Sequence, residues 1–144
     1  SDDNFGDLNE LQILDLSSNL IQGIDSMAFS LLVKLRTLDL SNNKISLLPS
    51  GVFSKLMKLK WLNLSINSLT ELTPEIFGTS KFYIDEFYFQ ENQLKFIDSR
   101  LIGIFDKMKI IDFSNNVCIS KKFPNDLKKM KLVVEITENC SNRI

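Results

Sequence analysis

The side chains that could do chemistry in this chain are few, and their spacing is more telling than their number. Aspartates recur at Asp15, Asp39 and Asp112. Paired carboxylates are a common apparatus of general acid–base catalysis, but they need an activating partner and an enclosing pocket. Histidine is absent from all 144 residues, which removes the commonest base near neutral pH and the commonest zinc ligand. The 5 glycines form no phosphate-cradling loop. A metal site from Asp15 and Asp39 has no further ligands written beside it. The expectation is a chain without catalytic residues, metal or cofactor.

Three other features carry chemical meaning. Cys118 and Cys140 are the only cysteines and both stand near the C-terminus, which suggests one terminal staple rather than a disulfide framework. Two free buried thiols are the alternative. Asn63-Leu64-Ser65 is an N-glycosylation sequon. Asn139-Cys140-Ser141 is a second match, with a cysteine inside it.

Charge sets few constraints. Lys and Arg number 17 against 18 Asp and Glu, a net charge of −1, so there is no overall pull toward nucleic acid or anionic membranes. No apolar run approaches the roughly 18 residues that span a bilayer. The opening Ser1-Asp2-Asp3-Asn4 is polar and lacks the apolar core of a signal peptide. Lys121, Lys122, Lys128, Lys129 and Lys131 make the C-terminal region locally basic, read as a solvated face.

The elements that position these residues follow from a repeat. The pattern L-x-x-L-x-L-x-x-N appears as Leu11, Leu14, Leu16, Asn19, then as Leu35, Leu38, Leu40, Asn43 and as Leu59, Leu62, Leu64, Asn67. An aromatic copy reads Ile84, Phe87, Phe89, Asn92, and a fifth reads Met108, Ile111, Phe113, Asn116. Starting positions advance by 24, 24, 25 and 24 residues. Side chains alternate along a strand, so Leu14 and Leu16 point inward while Asp15 points out. One coil has too small a core to stand alone, and stacked coils share a continuous one.

The fold class expected is therefore an α/β solenoid. A short parallel sheet lines its concave face, with loops and short helical turns on the convex side. Phe29, Phe53 and Phe77 lie ten residues beyond each asparagine, with Ile102 in the fourth copy. They read as a spine filling the convex side. Leu32, Leu56 and Phe105 follow three residues later; Ser80 takes that place in the third copy, where Phe82 is the expected substitute. The column Asn19, Asn43, Asn67, Asn92 and Asn116 is read as structural, each inward amide satisfying main-chain groups where the chain leaves a strand.

Outward strand positions are free to bind. Their columns read Gln12, Arg36, Lys60, Asp85, Lys109; then Ile13, Thr37, Trp61, Glu86, Ile110; then Asp15, Asp39, Asn63, Tyr88, Asp112. Trp61 and Tyr88 are the large aromatic side chains that binding hot spots favour. With Arg36, Lys60 and Glu86 they form the candidate ligand-binding surface. A solvated sheet with incidental aromatics is the plainer alternative. A glycan on Asn63 would shield this face and move binding to an edge or to the convex side.

These residues resemble the leucine-rich-repeat family, from about Phe5 to Cys140. The 24-residue period and phenylalanine spine are similar to the typical extracellular subclass of Toll-like receptors and animal immune or adhesion proteins. Asn116-Val117-Cys118-Ile119 followed by a single distant Cys140 resembles the closing cap of arthropod members, and departs from a four-cysteine cap. The resemblance implies an extracellular recognition module, of innate-immune or cell-surface type, for a protein or other macromolecule. A structural or dimerising module remains open, to which the aromatic fourth copy (Phe82, Tyr83, Phe87, Tyr88, Phe89) could contribute. So does an intracellular scaffold.

Residues 1–10 read as the tail of a preceding repeat, because Phe5 and Leu8 match Phe29 and Leu32 in phase. Five repeats follow over 11–116, starting at 11, 35, 59, 84 and 108. Residues 117–144 form the cap. Within it, Pro124-Asn125-Asp126 is expected to open a short helix carrying Leu127 and Met130 inward. Leu132-Val133-Val134-Glu135-Ile136 is expected to be a strand.

Overall fold

Each outward–inward–outward triplet of the repeat becomes a strand of three residues. A computed structural model describes residues 8–104, 108–123 and 129–142. The strands are β1 (Ile13–Asp15), β2 (Thr37–Asp39), β3 (Trp61–Asn63), β4 (Glu71–Leu72), β5 (Glu86–Tyr88), β6 (Phe96–Ile97), β7 (Ile110–Asp112) and β8 (Lys122–Phe123). The helices are α1 (Arg100–Ile104) and α2 (Lys129–Cys140). The main sheet runs β1-β2-β3-β5-β7-β8. It is parallel through β7 and closes with antiparallel β8. The chain is a parallel-sheet solenoid of leucine-rich type.

The strands are short because the sequence ends each one with a turn. Ser18, Asn42, Ile66, Glu91 and Asn115 all adopt positive φ, between 54° and 58°. Each immediately precedes the ladder asparagine, and a left-handed residue there swings the chain out of the sheet.

Burial follows the alternation. Leu38, Leu62, Phe87 and Ile111, the central residues of successive strands, are fully buried. Behind them the Phe29 and Phe53 ring centroids lie 6.1 Å apart, and those of Phe53 and Phe77 5.7 Å apart. Phe82 packs 4.7 Å from Phe77 and is itself fully buried, occupying the core where Ser80 cannot. Such ring pairs contribute beyond their area alone. The convex side also holds structure that the repeat pattern did not announce. Pro74–Phe77 forms a 3-10 turn ended by Gly78 at positive φ, and β4 pairs with β6 in a separate two-stranded parallel sheet.

The C-terminal region closes the last coil differently from expectation. Residues 132–136 are helical, not extended, lying within α2. Val133, Val134 and Ile136 favour strands intrinsically. The burial pattern decides against it: Leu132, Ile136 and Cys140 are buried while Val134 is exposed. A spacing of four places the buried side chains on one helical face. The Cys118–Cys140 disulfide, with Cα atoms 5.2 Å apart, ties the end of this helix to the fifth coil. An ion pair between Lys121 and Glu135 links the same two segments. The expectations for Phe5, Phe105, Pro124, Asn125, Asp126 and Leu127, and for the side chains of Ile102 and Met130, lie outside the described residues.

Candidate functional site on the solvent face of the sheet

Parallel pairing brings outward side chains into rows. Thr37, Trp61, Glu86 and Ile110 are register partners across β2, β3, β5 and β7. One step along, Asp39, Asn63, Tyr88 and Asp112 form a second row. Trp61 and Tyr88 therefore sit diagonally on adjacent strands. Their ring centroids are 5.6 Å apart with planes tilted by 49°, an aromatic contact on the solvent face.

Tyr88 is electrostatically marked. Partial burial, then the negative charges of Glu86 and Asp112, hold its phenol above the ordinary tyrosine range, while the Trp61 indole N–H works the other way. The structure thus brings Trp61, Tyr88 and Glu86 together. Lys60 turns aside: its Nζ donates to the Tyr83 carbonyl at 3.1 Å and lies 5.9 Å from the Tyr83 ring centroid. Arg36 remains exposed on β2's side of the patch.

A row of short polar turns borders the aromatic pair. Asp15, Asp39 and Asp112 each accept, through Oδ1, the main-chain N–H two residues on, at 2.9 Å. Those aspartates are spent on turn geometry rather than poised for acid–base work. Asn63 makes the same turn, accepting the Ser65 N–H at 2.9 Å and the Ser65 hydroxyl at 2.6 Å. The Asp-x-Ser and Asn-x-Ser spacing is the signal for these turns, which the repeat pattern alone passes over. No group of three or more His, Cys, Asp or Glu side chains converges on a metal position among the described residues.

The asparagine column works inside the coil, away from this face. Asn43, Asn67, Asn92 and Asn116 each donate through Nδ2 to a carbonyl of the preceding coil, at 2.9 to 3.0 Å. Their Oδ1 atoms accept main-chain N–H groups of that same coil. Among the described residues the Asn19 side chain donates to Leu16 and Ser17 of its own coil.

The repeat pattern carries no signal for two other surface features. A cavity of about 230 Å³ lies where Phe96–Ser99 meet Thr137 and Ser141. On the convex side Arg100 bridges Glu75 and Asp98. The second sequon residue, Asn139, lies in α2 with its Nδ2 donating to Glu135 O at 2.9 Å. Of the cap lysines, Lys121, Lys122 and Lys131 are exposed.

A family model described as leucine rich repeat matches residues 1–45 and 34–79, together more than half the chain. No curated protein sequence matches it. Among solved structures, TLR13 in its complex with ssRNA13 is similar at 28% identity over 72% of this chain, with a TM-score of 0.64. The leucine-rich repeat domain of APL1B is similar at 25% identity over 77%, with a TM-score of 0.69. Toll, in the Drosophila Toll–Spatzle complex of development and innate immunity, is similar at 26% identity over 74%, with a TM-score of 0.64. The chain spans 14%, 34% and 17% of those chains respectively.

Proposed function

We propose, from the premise that this chain belongs to the leucine-rich repeat family, that its solenoid is an extracellular recognition module, of innate-immune or cell-surface type, for a protein ligand. One observation carries the reading: the Trp61–Tyr88 aromatic contact stands on the solvent face of adjacent strands, with Glu86 the register partner of Trp61. Two rigid aromatic side chains on a fixed sheet present contact area with little ordering cost on binding. The disulfide agrees with an oxidising compartment.

The structural neighbours divide between a nucleic acid complex and a protein complex. Charge favours protein here. Nucleic acid binding needs a basic track that neutralises phosphates, whereas this face carries Asp15, Asp39, Asp85 and Glu86 among its few cations.

The test is differential capture of extracellular proteins, with purified Spatzle and single-stranded RNA as defined probes. The W61A/Y88A double variant is expected to fold normally and lose its protein partner. A control variant at exposed convex methionines, M27A/M57A, is expected to keep it. Equal capture by the double variant would sink the concave-face reading. RNA capture with a steep salt dependence would replace protein with nucleic acid.

A further inference from the structure

We propose that Asn63 carries an N-linked glycan whose first sugar packs on the Trp61–Tyr88 pair, making the concave face a glycan-covered surface in the modified protein. Asn63, Leu64 and Ser65 supply the sequon, and the geometry supplies the rest. Asn63 Oδ1 is held by the Ser65 N–H and hydroxyl, while its Nδ2 donates no hydrogen bond among the described residues. The nitrogen that would take the sugar is thus free, on the outward row of β3.

Its surroundings suit a sugar. Trp61 precedes Asn63 by two residues, so both project from the same face, roughly 7 Å apart along the strand. Tyr88 is the register partner of Asn63 on β5, with its ring centroid 5.6 Å from that of Trp61. Aromatic faces bind the C–H-rich face of a pyranose as they bind other apolar surface. The row also shows how local the signal is. Asp15, Asp39 and Asp112 make the same turn with Ser17, Ser41 and Ser114 as Asn63 does with Ser65. Only at 63 does an amide stand there, beside the aromatic pair.

The chemistry is a group transfer from a polyprenyl-pyrophosphate oligosaccharide. C1 of its terminal N-acetylglucosamine bonds to Nδ2, Nδ2 gives up one proton, and the polyprenyl pyrophosphate leaves. Attachment does not depend on the ligand reading above; the two meet at the aromatic pair, which is open to a protein partner only in molecules whose Asn63 is unmodified.

Trp61 is the only tryptophan, so its fluorescence reports this site without any ligand. The chain, secreted from insect cells, is to be mapped by glycopeptide mass. Acrylamide quenching of Trp61 is then compared before and after N-glycosidase, which converts Asn63 to Asp, the residue found at three equivalent turns. The expected result is a glycan on Asn63 and a quenching constant that is lower before glycosidase treatment than after it. The N63D variant should quench like the enzyme-treated protein. An unmodified Asn63, or a glycan on Asn139 alone, overturns the proposal. A glycan on Asn63 with unchanged quenching overturns the stacking.

Discussion

Asn67 reaches across two coils: its Nδ2 donates to the Leu40 carbonyl at 3.0 Å, and its Oδ1 accepts the Ile45 N–H at the same distance. One side chain thus closes main-chain groups that stacking buries away from water. Asn67→Ala should cost about 1–3 kcal/mol for the orphaned Ile45 N–H alone, since an unmet buried donor keeps its full desolvation penalty. Asn19→Ala should cost much less, because Asn19 is exposed and, among the described residues, its side chain donates within its own coil. Urea unfolding of both variants checks the contrast; equal losses would mean the ladder acts within coils rather than between them.

Ile66 stands at φ +54°, a left-handed conformation that a β-branched residue adopts only under strain. The equivalent turns use Ser18, Asn42, Glu91 and Asn115. Its side chain is 45% exposed, so little packing compensates. Ile66→Gly should raise stability by about 1 kcal/mol, the order of the left-handed penalty. Thermal unfolding measures it. A loss instead would show that the exposed Ile66 side chain contributes more packing than its conformation costs.

Much of this architecture is legible in sequence because the period is so regular. Leu38, Leu62, Phe87 and Ile111 recur in phase, and each is fully buried. Where period fails, legibility fails with it. The β4–β6 pair is two residues wide and has no alternation long enough to read. Residues 132–136 mislead because Val133, Val134 and Ile136 suit a strand locally, while the helical spacing of Leu132, Ile136 and Cys140 governs packing. In the candidate site, the juxtaposition of Trp61, Tyr88 and Glu86 follows from register alone. The departure of Lys60 toward Tyr83 does not, because a long side chain's rotamer is set by neighbours that strand position leaves unspecified.

Tyr88 should give the sheet a measurable alkaline limit. Its folded phenol is raised by burial and by Glu86 and Asp112. For a group raised on folding, the stabilisation is fully present below the unfolded pKa, about 10 for tyrosine, and is lost as pH rises through the higher folded value. Stability should therefore decline from about pH 10 up through the folded value, and less so in Tyr88→Phe. Trp61 emission, quenched by a neighbouring tyrosinate, follows the titration. An unchanged profile in Tyr88→Phe would place the alkaline loss elsewhere.

The Cys118–Cys140 bridge encloses a loop with a sequence separation of 22 and joins the end of α2 to the fifth coil. Restricting the unfolded chain by such a link is worth roughly 3 kcal/mol in the chain-entropy model. Double substitution to serine should lower the unfolding midpoint and free α2, with loss of helical circular dichroism. Its buried Leu132 and Ile136 would then lose their covalent anchor while Phe123 and Ile119 lose cover. Trp61, two coils back from the bridge by the repeat register, should keep its native emission under the same mild conditions. A simultaneous collapse of the Trp61 signal would mean that the solenoid unfolds as one cooperative unit, with the cap holding every coil rather than only the last.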